Sequence, residues 1–341
     1  MLFSSLPASN KSDFLQLSIA TFFRRTRATL KLAFSNKSRT LRAMNRRHFM
    51  QLMPAITVIP TLNAEKAAAI DKPLFEISLA QWSNHKSLFQ GKIKNLDWAA
   101  HTQEHYGINA LEYVNGFFKD KATDAGYLAE MNQRVDDLGM KNLLIMIDGE
   151  GSLGHSQEKK RLKAIDNHKK WVEAAQTLNC HSIRVNASGP KDPEEARKLV
   201  SDGLYQLATF AKDFDINIIV ENHGGHSSNG TWLAQVLSDV NLPHCGSLPD
   251  FGNFGDYDRY QGMKDLIPFA KGVSAKSKEF DDDGNCVETD FHRMMKIVLD
   301  SGYRGHVGVE FEGKTLSEDL GIKATIKLLE EVRNELVSNY E

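Results

Sequence analysis

Cysteine is scarce in this chain. Only Cys180, Cys245 and Cys286 occur among 341 residues, widely spaced and without a CxxC pair. An odd, scattered set encodes neither a disulfide framework nor a cysteine zinc site, so each reads as an ordinary buried thiol. Long apolar runs are missing too. The one uncharged hydrophobic stretch, near residues 49–64, falls short of the roughly 20 residues that span a bilayer, which excludes a polytopic membrane protein and stable membrane insertion. Positive charge is depleted beyond residue 70: residues 71–341 carry 31 Lys/Arg against 42 Asp/Glu, a balance of −11, whereas residues 1–70 carry 11 against 2. An acidic body repels phosphate backbones, so nucleic acid is not an expected partner of the folded part.

What is present is enough for one large core, since 41% of the residues are hydrophobic. The basic N-terminal segment divides in two. Residues 1–43, rich in Ser, Thr and Arg, read as a disordered or misassigned extension, because Met44 can itself start translation. From Met44 the order is Asn45-Arg46-Arg47-His48-Phe49-Met50, then a weakly hydrophobic stretch to Leu62, then small residues at Ala67-Ala68-Ala69. That order resembles a twin-arginine signal over residues 44–70, which implies the twin-arginine export machinery as a partner and a periplasmic location.

Over residues 71–341 short apolar runs alternate with longer helix-periodic segments. Strands are predicted at 75–81, 109–114, 142–148, 182–187, 216–222, 245–250, 271–277 and 306–312, with helices between them, for example at 127–138, 158–178, 193–214 and 291–301. Asp192-Pro193-Glu194-Glu195 is a helix start, with an N-cap, a first-position proline and acids in the first turn. Eight β-then-α units over this length predict an α/β fold, a single-domain (β/α)8 TIM barrel. A doubly wound open sheet is the rival, but no GxGxxG follows the first strand.

A TIM barrel gathers its chemistry at the C-terminal ends of its strands. Strand five ends in Glu221-Asn222-His223-Gly224-Gly225, strand six in Pro249-Asp250-Phe251-Gly252-Asn253, and strand eight reads Gly308-Val309-Glu310-Phe311-Glu312-Gly313. Carboxylates held together there repel unless a cation, a proton or hydrogen bonds compensate, so Glu221, Asp250 and Glu310 are hard to explain as scaffold. His223, followed by two glycines that permit close approach of the backbone, is a further catalytic candidate. Glu312 reads as a rim ion pair. Candidate substrate-binding residues are Glu112 at the end of strand two, Asn253, Trp82 just past strand one, and His155 in the glycine-rich loop after strand three. His101 and His105, four apart on a predicted helix, read as a surface pair.

These strand ends resemble those of the xylose-isomerase-like barrel superfamily, the sugar isomerases and epimerases also related to endonuclease IV. The likeness covers roughly residues 72–340. It implies a divalent metal (Mn, Mg, Co or Zn) held by Glu on strand five, Asp on six, His on seven and Glu on eight, hence by Glu221, Asp250 and Glu310, with the two glutamates doubling as the proton-transfer pair. Strand seven departs from the family's His-x-Lys: it reads Ser274-Ala275-Lys276, with Ser274 at the ligand position. A hydroxyl is a poorer transition-metal ligand than imidazole, so weak metal binding is expected, and Lys276, on the same face nearer the mouth, is expected to supply positive charge to the catalysis.

The function expected is a sugar isomerase or epimerase that abstracts a proton α to a carbonyl and passes through an enediolate, on a keto-sugar or glycoside. The alternatives are a lyase or hydrolase acting on keto-glycosides by β-elimination, and a non-catalytic carbohydrate-binding barrel. The sequence is compatible with a homo-oligomer.

Overall fold

The computed structural model describes residues 73–340; the segments read above as extension and signal, with Arg46 and Arg47, lie outside the described residues. Eight strands follow in order: β1 (Glu76–Ala80), β2 (Ala110–Val114), β3 (Lys141–Met146), β4 (Ser182–Val185), β5 (Asn217–Glu221), β6 (Cys245–Leu248), β7 (Val273–Ser277) and β8 (His306–Phe311). Each is followed by a helix: α1 (Trp98–Tyr106), α2 (Ala125–Asp137), α3 (Glu158–Thr177), α4 (Pro193–Ala211), α5 (Gly230–Val240), α6 (Arg259–Leu266), α7 (Phe291–Asp300) and α8 (Glu318–Leu336). Every named pairing is parallel, in the order β6-β5-β4-β3-β2-β1-β8-β7. The ring closes between β6 and β7 through two parallel bridges, Ser247 to Ala270 and Asp250 to Ser274. The protein is thus the expected (β/α)8 barrel. Among the described residues no helix is long and apolar enough to cross a membrane.

Period-two alternation builds two layers. Side chains such as Ile183, Ile218, Val273 and Val309 point outward into the main core shared with the helices. The inward layer is divided. Ala80, Val114, Leu144, Met146, Ile219 and Leu248 form a small apolar cluster inside the barrel, whereas Arg184, Glu221, Asp250, Ser274, Lys276 and Glu310 are polar and buried. The polar set comes from β4, β5, β7, β8 and the segment after β6, while the apolar cluster draws on β1, β2, β3, β5 and β6, so charged and oily side chains share the barrel interior.

Local signals hold where they have a physical basis. Asp192 caps α4 by accepting from the Glu195 N–H (2.8 Å), with Pro193 at the first helical position. The three cysteines are free and buried, as expected.

Candidate active site

The segment that closes the barrel also builds its mouth. Ser274 donates its backbone N–H to the Pro249 carbonyl (2.9 Å) and accepts from the Phe251 N–H (3.0 Å), which brings Asp250 opposite Ser274. On the other side Ser274 pairs in register with Gly308, and Lys276 with Glu310. Glu221, Asp250 and Glu310 then converge: one ligand oxygen from each lies within 4.8 Å of the others. Glu221 is 1% exposed and Asp250 0%.

Each carboxylate is held by the chain. Asp250 Oδ1 accepts the N–H groups of Gly252 and Asn253 (2.8 Å each), and the Asp250 backbone is fixed by the Asn222 side chain, which bonds both its N–H and its carbonyl. Asn253 Nδ2 donates to Glu221 Oε1 (2.8 Å). Arg184 Nε stands 2.9 Å from Glu221 Oε2, as an ion pair without an aligned hydrogen bond, so both atoms lack a hydrogen-bond partner. Lys276 Nζ lies between Glu310 Oε1 (3.0 Å) and Glu312 Oε2 (3.1 Å). The Ser274 hydroxyl is 2.7 Å from Asp250 Oδ2 and 3.1 Å from Glu310 Oε2. One hydroxyl carries one proton and cannot donate to both; a proton on one carboxyl, or a cation among them, must make up the difference.

The charge balance says the same. The buried Glu221, Asp250 and Glu310 share two buried cations, Arg184 and Lys276, which also pair with the partly exposed Asp148 and Glu312. Burial pushes the Glu221 carboxyl up to about 7, with Glu310 adding to the rise and Arg184 and Lys276 opposing it. Burial also carries Asp250 up to about 7, again against the pull of Lys276. For Lys276 burial favours the neutral form, yet Glu310, Asp250, Glu221 and Glu312 outweigh it and hold the ammonium well above its ordinary range. This is the residual negative charge that a divalent cation would meet.

The other candidates are placed as follows. Glu312 pairs with Lys276 and accepts the indole N–H of Trp82, so it is the rim ion pair expected. Trp82 stacks on His85 (ring centroids 4.8 Å apart) and adjoins Phe117 (6.3 Å) and the exposed Phe89 (6.1 Å), making an aromatic wall on the β1–β2 side. His223 borders a cleft between the loops after β4 and β5; burial, with Arg184 and Lys276, lowers its pKa and favours the neutral ring. Asn253 holds Glu221 and Asp250 as described. His155 is engaged within its own loop, where its Nδ1 accepts the Gln157 N–H (3.0 Å). Glu112 does not end β2, which runs on to Val114. It takes the Ser78 hydroxyl and lies against Gly308, where a Cβ would come within 2.5 Å of its Oε1. From there it faces a cavity of about 260 Å³ walled by the N-terminal strand ends, including Asn217 and His306. His101 and His105 on α1 stack at 4.2 Å on the helix, as a pair.

Sequence reasoning missed Arg184 and Asp148. Arg184 Nη1 donates to Asp148 Oδ1 (2.9 Å), which also takes Asn186 Nδ2 (2.7 Å), so the three tie the ends of β3 and β4 to Glu221. The signal was available: in Ser182-Ile183-Arg184-Val185-Asn186 the apolar residues take one face and the polar ones the other. A strand whose inward face is polar announces a polar interior.

An eight-stranded barrel with a buried acidic centre at the C-terminal ends of its strands defines a class of enzyme-like scaffolds. The chain belongs to the xylose isomerase-like TIM barrel family, whose model matches residues 100–332. No curated protein sequence matches it. Among solved structures it is similar to a D-tagatose 3-epimerase-like protein (18% identity, TM-score 0.62, covering 77% of this chain and 100% of that one). It is also similar to 3-keto-D-glucoside 4-epimerase from E. coli (16%, 0.61, 75% and 99%), and to a xylose isomerase-like barrel protein from Mycobacterium smegmatis in complex with magnesium (14%, 0.59, 78% and 98%). At these identities the likeness shows the fold.

Proposed function

We propose that the protein is a sugar isomerase or epimerase that moves a proton α to the carbonyl of a keto-sugar or keto-glycoside. The observation that carries this reading is the buried Glu221–Asp250–Glu310 cluster with Lys276 against it. Two carboxylates on one small site suit removal of a proton by one and its return by the other on a neighbouring carbon or the opposite face. A carboxyl raised to about 7, as Glu221 is without a bound cation, can serve in either direction near neutral pH. Lys276 offers its ammonium to the oxygen on which charge develops, and Asn253 and Arg184 keep Glu221 from turning away. The aromatic wall at Trp82 supplies a face for the sugar ring. The structural neighbours named as epimerases support the same chemistry.

The donor set also fits a divalent cation. Glu221 Oε2 is buried without a hydrogen-bond partner, and the carboxylates carry charge that Lys276 and Arg184 do not cover. Glu221, Asp250 and Glu310 would hold the ion, with Ser274 beside it. An all-oxygen set without imidazole suits a hard ion, Mg or Mn, better than Zn or Co. A bound ion would polarise the substrate carbonyl. Asp250→Asn should lower metal content and turnover together, while Ser274→His should raise affinity for Zn or Co; both are read by elemental analysis of the purified protein and by titration. Unchanged metal content in Asp250→Asn would remove the ion from these residues.

The reading is tested by incubating the protein with ketoses and 3-keto-glucosides in D₂O and following deuterium at the carbons next to the carbonyl. Isomerisation or epimerisation with exchange is expected. Exchange accompanied by loss of the aglycone would make the enzyme a β-eliminating lyase; binding without exchange at any carbon would leave a carbohydrate-binding barrel.

We further infer export by the twin-arginine route to the periplasm, which the order Arg46-Arg47, Phe49, apolar stretch and small residues supports. Arg46→Lys with Arg47→Lys keeps the charge but removes the paired guanidinium groups. The uncleaved precursor should then stay in the cytoplasm of a bacterial host; normal delivery of mature protein would refute the signal.

A further inference from the structure

We propose that the cleft beside the acidic centre is a subsite for a second sugar ring, so that the preferred substrate is a two-ring keto-glycoside and not a free keto-monosaccharide. This rests on the proton-transfer reading above. The cleft, about 530 Å³, runs between the loops after β4 and β5 and is bounded by Asn186, Ser188, Pro190, Lys191, His223 and His226. That is a ligand-sized space in its own right. None of Glu221, Asp250, Lys276 and Glu310 is among its walls, so a single ring poised over the carboxylates would leave it unfilled.

Yet its inner end belongs to the site. Asn186 donates to Asp148, Asp148 pairs with Arg184, and Arg184 reaches Glu221. His223 is two residues beyond Glu221, on the same loop. The cleft therefore adjoins the loop that carries Glu221, on the side toward which we infer a substituent on a ring bound at the triad extends.

The walls are fixed in place. The His226 ring packs on Trp232 (centroids 5.3 Å apart), its Nε2 is 3.1 Å from the Pro190 carbonyl oxygen, and the Ser188 carbonyl accepts from the Gly154 N–H (3.0 Å). Gly224 and Gly225 turn the opposite wall at φ 82° and 58°, a backbone that keeps this edge free of side chains. Their chemistry suits a neutral ring better than a phosphate. Lys191 is the one Lys or Arg among the cleft's walls and is exposed, and the Gly224 N–H is already taken by the Ser228 hydroxyl. Proline and glycine surfaces with an amide and imidazoles at the edges match the apolar faces and hydroxyl rim of a pyranose.

The test compares methyl 3-keto-α-D-glucopyranoside with 3-ketotrehalose as probes of the full chain, by enzyme-dependent deuterium exchange in D₂O. The two-ring probe should have a kcat/KM at least about 10-fold higher. Ser188→Trp, which fills the cleft without touching the carboxylates, should erase that advantage while leaving the methyl glycoside within about twofold of the wild type, and Lys191→Trp at the outer rim repeats the test should Ser188→Trp fail to fold. Equal kcat/KM for the two probes, or a loss in Ser188→Trp that is the same for both, would overturn the subsite alone. Absence of exchange with either probe would instead overturn the proton-transfer reading, and the subsite with it.

Discussion

Glu310→Gln should lower turnover by about 10²–10⁴-fold while the protein still melts cooperatively, because the amide keeps the shape and loses the proton acceptor. Glu221→Gln should do the same, and the two losses should be far from additive if the residues hand one proton between them. The neighbours make the first variant informative in a second way. Glu310 is one of the groups that raise Glu221, after burial. Removing its charge should lower the Glu221 pKa, so that whatever activity remains extends to more acidic pH than in the wild type. In the wild type without a bound cation, a reaction that needs ionised Glu221 should fade as the pH falls through about 7, and a bound divalent ion should move that fall to lower pH. Initial rates across pH 5–9 for the wild type and Glu310→Gln check this. Full activity in both on an identified substrate would move the chemistry elsewhere in the mouth.

Much of this arrangement was legible in the sequence, for a geometric reason. The TIM barrel turns a position at the end of a strand into a position in a shared mouth, so Glu221, Asp250 and Glu310, more than 80 residues apart from first to last, could be assembled on paper once eight strands were read. Parity then placed Lys276 on the inner face with Ser274. What was not legible were contacts made by residues of unremarkable spacing. Parity marks Arg184 as inward-facing, but its partner Asp148 lies just past β3, so nothing local couples them. Glu112 misled although strand two was read to residue 114, because a residue two short of the strand's end lies a layer below the mouth. The register puts it inside the barrel beside Gly308, a residue whose missing side chain is what makes room for it. The roles of Asn222 and Asn253 depend on a turn after β6 that folds back on Asp250, a geometry that residue type alone does not dictate.

The other large effect is expected at Lys276, and it concerns stability as much as rate. Its ammonium is 2% exposed and lies 3.0 Å from Glu310 and 3.1 Å from Glu312. Lys276→Met keeps the length and apolar stem but leaves Glu310, itself almost fully buried, without its cation. Breaking one side of a buried pair costs about 3–5 kcal/mol, whereas Glu312, which retains the Trp82 indole and some solvent, adds little. The melting temperature should fall by roughly 10 °C at pH 7.5. Two further variants separate charge from packing. Glu310→Gln combined with Lys276→Met removes the orphaned charge together with its partner, so much of the lost stability should return while turnover stays low. Mg or Mn should also raise the melting temperature of Lys276→Met more than that of the wild type, because the ion would enter a more negative centre. Should Lys276→Met melt within about 2 °C of the wild type in metal-free buffer, the ammonium does not hold these carboxylates together, and its proposed place opposite the developing oxyanion loses its structural support.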